Sequence, residues 1–128
     1  MNYYTYEYTN KNGETKELHL RLTSADAMQL EKAQNVKILQ YLQDESLTMV
    51  ITMLRYMNRV DNKNFSLDNA QALYDELIDS GLTLKRILVE IIYETLVVSG
   101  FLEKGEWEEM KKAYSKMEQE KHKVLENI

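Results

Sequence analysis

Cysteine and proline are absent from the 128-residue chain, and its four glycines stand at positions 13, 81, 100 and 105. Without thiols there are no disulfides, zinc-thiolate sites or thiol catalysis, which suits a reducing compartment. Without proline, and with so little glycine, long ordered loops and flexible linkers have little support. No stretch approaches the ~18 to 20 uninterrupted apolar residues of a membrane span. The best run, residues 87 to 98, is broken by Glu90 and Glu94. The opening MNYYTYEYTN lacks the basic start and apolar run of a secretory signal, so a soluble intracellular protein is expected. Also missing is any block of one charge: the net charge is −5, with acidic and basic residues mixed along the chain. Nucleic-acid binding is disfavoured, because affinity for phosphate rests on a basic surface that releases counterions. There is no internal repeat, and the length fits one domain able to bury a core without staples.

What is present is organised around residues 66 to 102, SLDNAQALYDELIDSGLTLKRILVEIIYETLVVSGFL. Ser66 is a good N-cap, Asp68 suits the first turn, and Leu67, Ala70, Leu73, Tyr74, Leu77 and Ile78 recur at helical spacing. Gly81 stops this helix and Thr83 caps the next. Leu84, Ile87, Leu88, Ile91, Ile92, Thr95 and Val98 form its apolar stripe, while Val89, Leu96 and Val97 lie off that stripe. A helix apolar nearly all round belongs in the centre of the fold.

Residues 3 to 9 and 15 to 22 alternate β-branched or aromatic residues with polar ones and read as two strands. A two-residue turn at Asn12 and Gly13 would set Tyr4 and Tyr6 opposite Arg21 and His19. A three-residue loop, with Gly13 left-handed, sets Tyr4 against Leu20 and Tyr6 against Leu18. The second register gathers the large apolar groups on one side and is the one expected, even though it opposes Glu7 and Glu17. A lone hairpin is marginal in water, so its apolar face must cover helices or another copy of the chain. Its outer edges are free to add strands from a neighbour. Thr23 to Asp26 is an acidic capping box that starts a helix, Val36 to about Asp44 suggests a short one, and Ser46 caps a third through Met57.

From Glu106 to about Asn127 a long charged helix is expected. In it Trp107, Met110, Tyr114, Met117, Lys121 and Val124 follow a heptad seam. Either its first half packs on the domain while the rest frays, or the seam binds a partner or a second copy. The fold class is therefore α+β, mainly α: an N-terminal β-hairpin (3–22) followed by about five or six helices (24–102). Residues 1–105 form one compact domain, and 106–128 a charged amphipathic helix.

Chemistry-bearing motifs are few. Asp75, Glu76 and Asp79 form an acidic cluster that, on a helix, is either a solvated face or a divalent-cation site and so a metal-dependent enzyme. Glu90 and Glu94 either mark the one strip of their helix that reaches water or pair with Arg86. His19 and His122 have no ligand set beside them, and no phosphate-binding glycine loop, G-x-S-x-G or H-E-x-x-H occurs. No catalytic, cofactor or metal residue is assigned, and no enzymatic activity is expected. Tyr3, Tyr4, Tyr6 and Tyr8 crowd the first strand, either as an exposed contact row or as packing on their own domain. The candidate partner-binding residues are Tyr4, Tyr6, Tyr8, Trp107, Met110, Tyr114 and Met117.

The tyrosine-rich first strand, the Asn12-Gly13 turn, LHLRLTSADAMQLEKA (18–33), LYDELIDSG (73–81) and VVSGF (97–101), in that order, resemble the tail assembly chaperones of long-tailed phages and prophages of Gram-positive bacteria. The chain departs from that pattern at Gln34 and Asn35, where relatives often place a glycine, and beyond Phe101. The resemblance implies a non-enzymatic protein of the bacterial host cytoplasm, absent from the finished virion. Such a protein holds the tape measure protein soluble and promotes assembly of the tail tube protein around it. It also implies a frameshifted longer form of the same chain, and the many weak contacts that a long helical client requires make a homo-oligomer or a row of copies the expected state. The alternative from another class is a regulatory adaptor that binds one folded partner.

Overall fold

A computed structural model describes residues 2–126, with side chains as far as residue 117. Lys121, Val124 and His122 lie outside the described side chains, and the expected helix end at Asn127 lies outside the described residues. The molecule is a two-stranded hairpin laid on six helices.

Strands β1 (Tyr4–Thr9) and β2 (Thr15–Leu20) pair antiparallel with Tyr4 opposite Leu20, Tyr6 opposite Leu18 and Glu7 opposite Glu17. This is the register of the three-residue loop. Asn10 closes that loop: its N–H donates to the Glu14 carbonyl at 2.9 Å, and its Oδ1 accepts the N–H groups of Asn12 and Glu14, each at 3.0 Å. Gly13 sits at φ 82°, where a side chain is disfavoured. One face thus carries Tyr4, Tyr6, Tyr8, Leu18 and Leu20, of which Tyr8 and Leu20 are buried.

Helix α1 (Ser24–Gln34) is capped by Thr23, whose hydroxyl accepts the Asp26 N–H. Asp26 in turn accepts from Arg59 Nε at 2.8 Å, tying α1 to the end of α3. Asn35 ends α1 in the left-handed region at φ 52°, a conformation asparagine tolerates better than most residues. Helix α2 (Ile38–Tyr41) runs into a 3-10 turn at Leu42–Asp44. Helix α3 (Leu47–Asn58) is capped by Ser46, and α4 (Leu67–Asp79) by Ser66 in a capping box: the Ser66 hydroxyl accepts the Asn69 N–H, and the Ser66 N–H donates to Asn69 Oδ1. Gly81 at φ 112° then lets the Leu82 N–H reach back to the Leu77 carbonyl.

Helix α5 covers residues 84–98 in three parts: Leu84–Ile87, a π turn at Leu88–Ile92, and Tyr93–Val98. Helix α6 is Lys104–Glu126. As expected, α5 is central: Ile87, Ile91, Ile92 and Leu96 are fully buried among Met49, Val50, Met53, Leu54 and Met57 of α3. The stripe is corrected at its end. Leu96 is fully buried and Val98 only half-buried, because the π turn takes one residue more than an α turn and rotates everything after it. No helix among the described residues is long and apolar enough to cross a membrane.

Candidate functional site

Three tyrosine hydroxyls seat the hairpin on α4 and α5. Tyr8 donates to Glu76 Oε2 at 2.7 Å, while Asn10 Nδ2 and Lys16 Nζ donate to Glu76 Oε1 at 3.2 and 2.8 Å. Hydrogen bonds first from Lys16 and then from Tyr8 hold the Glu76 carboxyl down at about 2. Burial, followed by the bond to Glu76, pushes the Tyr8 hydroxyl well above its ordinary range. Tyr4 donates to the backbone carbonyl of Glu90 at 2.7 Å, and Tyr6 to its carboxylate at 3.3 Å. Burial, then the charge on Glu94, raises the Tyr4 hydroxyl to about 12. Arg86 Nε donates to the other Glu90 oxygen at 2.6 Å, the partner expected from their four-residue spacing. Of the crowded tyrosines at the start of β1, Tyr3 is the exposed one, at 47%.

The acidic cluster of α4 divides as well. Glu76 is engaged by Lys16 of β2, Asp79 lies 3.5 Å from Lys11 of the hairpin loop, and Asp75 is exposed. Among the described residues no group of three histidine, cysteine or acidic side chains is placed to hold a metal ion.

The α6 seam is split between inside and outside. Trp107 is 1% exposed, donates Nε1 to Glu94 Oε1 at 3.0 Å, and meets the Tyr93 ring edge-on at 4.9 Å. Lys111 also binds Glu94. Tyr114 is half-buried: its hydroxyl donates to Glu45 at 2.7 Å, Lys85 Nζ lies 4.6 Å from its ring centre, and Tyr93 donates to the same Glu45 carboxylate at 3.3 Å. Met110 and Met117, by contrast, are 41% and 52% exposed.

Met110 lines an open groove of about 230 Å³ with Leu39, Leu42, Tyr93 and Leu102. Leu39 is 60% exposed, because a single helical turn has room to bury Ile38 but not its neighbour. The sequence pattern marked a short helix from Val36 to about Asp44 but did not tell which of its apolar residues stay exposed. A second cleft, about 390 Å³, lies between α5 and α6 beside Lys85, Arg86, Val89, Glu90, Lys111 and Tyr114. Its charges are mixed, with Arg86 on Glu90 and Lys111 on Glu94. The structure therefore brings Trp107, Met110 and Tyr114 together around Tyr93, and sets Tyr4, Tyr6 and Tyr8 apart from them under the hairpin. The acceptors Glu45, Glu76 and Glu94 were not legible as a set, since each meets its donor across the fold.

No family model, no curated protein and no solved structure matches the chain.

Proposed function

We propose that the chain is a tail assembly chaperone that binds the tape measure protein, keeps it soluble and promotes tail tube assembly around it, with no bond made or broken. The reading rests first on the ordered resemblance from the tyrosine strand to VVSGF. The structural observation that supports it is the uncovered apolar surface of Leu39, Met110 and Met117, all exposed in a single copy of the chain. Exposed apolar side chains that line a groove suit the covering of another chain's apolar surface. Methionine's flexible thioether adapts to many client side chains. A row of copies would multiply such weak contacts along a long helical client through effective concentration.

The test is co-expression with the tape measure protein. The wild-type chain is expected to raise the soluble fraction of that client. The double variant Leu39→Asp, Met110→Asp is expected to lose this effect while keeping the wild-type melting temperature. A wild-type chain that leaves the client insoluble overturns the reading and favours an adaptor for one folded partner.

A further inference from the structure

The π turn in α5 connects the two ends of the chain. Its defining bond runs from the Tyr93 N–H to the Leu88 carbonyl, five residues back. Two carbonyls of the turn are taken by side-chain hydroxyls: Tyr4 donates to Glu90 O and Thr95 to Ile91 O, each at 2.7 Å. Thr95 belongs to the helix itself, but Tyr4 comes from the hairpin, 86 residues away.

The extra residue matters downstream. One residue in an α-helix is worth ~100° of rotation, so closing the turn to α geometry would swing Tyr93 and Glu94 to a different face. Those two side chains are the seat of α6: Tyr93 supplies the ring against Trp107, and Glu94 accepts from Trp107 Nε1 and Lys111. Tyr6, next along β1, reaches only the Glu90 carboxylate and leaves the backbone of the turn untouched.

We infer that Tyr4 is a positioning residue that holds the π turn open, so that docking of the N-terminal hairpin and docking of the C-terminal helix α6 are coupled through α5. A partner that lifts either element loosens the other, because such coupling is reciprocal. The inference does not depend on which partner that is.

Trp107 is the chain's single tryptophan, so its emission reports α6 docking directly. In the full-length protein, Tyr4→Phe removes the hydroxyl and keeps the ring. Amide exchange at Tyr93 and along residues 107–114 is expected to quicken about five-fold, the effect of one ordinary hydrogen bond, with a red shift of Trp107 emission. Tyr6→Phe is expected to change neither. Wild-type exchange and emission in Tyr4→Phe overturn the inference, and so does an equal effect from Tyr6→Phe, which would indicate general loosening. Should Tyr4→Phe fail to fold, Trp107→Phe gives the reverse reading. Faster exchange of the Tyr4–Thr9 amides supports the coupling, and unchanged exchange there overturns it.

Discussion

The hairpin row and the α6 seam carry similar side chains, large and partly polar, yet the fold uses them in opposite ways. On β1 the alternation is strict, so Tyr4, Tyr6 and Tyr8 share one face, and all three hydroxyls find acceptors on α4 or α5. On α6 the three-and-four spacing places Trp107, Met110, Tyr114 and Met117 on a common stripe, but only Trp107 is fully buried while both methionines face outward. A strand has two faces and a binary choice. A helix stripe is wider than the contact it makes, and where it meets the domain decides which of its members are covered.

The sharpest way to break that contrast is Trp107→Ala. It empties a packed position between Tyr93 and Tyr114, and a loss of about 3 to 5 kcal/mol in urea unfolding is expected. Tyr8→Phe is the matching cut on the hairpin side. It removes one bond to a charged acceptor, and a loss of about 1.5 to 2 kcal/mol is expected in the same measurement.

The pH dependence separates the two regions further. Glu76 is held at about 2 against an ordinary 4.5. A carboxyl with a depressed folded value contributes stability that is fully present above about pH 4.5 and disappears as pH falls through 2. The urea midpoint of the wild type should therefore approach that of Glu76→Gln as pH is lowered through this window. A gap that stays constant would show that Glu76 does not anchor the hairpin. The smallest effect is expected at Met117→Ser, within about 0.5 kcal/mol of wild type, because an exposed side chain leaves no cavity. A larger loss would mean that Met117 packs on the domain as Trp107 does.

Much of this fold was legible because local signals agreed with one another. Gly13 allowed two turns and the apolar residues of both strands chose between their registers, while Ser46, Ser66 and Thr83 marked the helix starts they cap. The π turn had no such signal. Residues 84–98 are apolar on nearly every side, so inserting one residue into the period left no polar position visibly out of phase. For the same reason the stripe was drawn through Val98 and left Leu96 beside it, although Leu96 is the fully buried one of the two. The candidate site was legible only as a set of residue types. Which tyrosines are engaged depends on Glu76 and Glu90, far away in sequence, and the exposure of Leu39 depends on how short α2 is.

The outer face of the hairpin sets Glu7 directly across from Glu17, with His19 Nε2 at 2.7 Å from the Glu17 carboxylate. A second hairpin laid flat on that face would crowd four carboxylates together, a like-charge arrangement that costs energy. The like-charge pair thus works against two hairpins stacking through their outward sides, and leaves the strand edges as the part of the hairpin open to a neighbour.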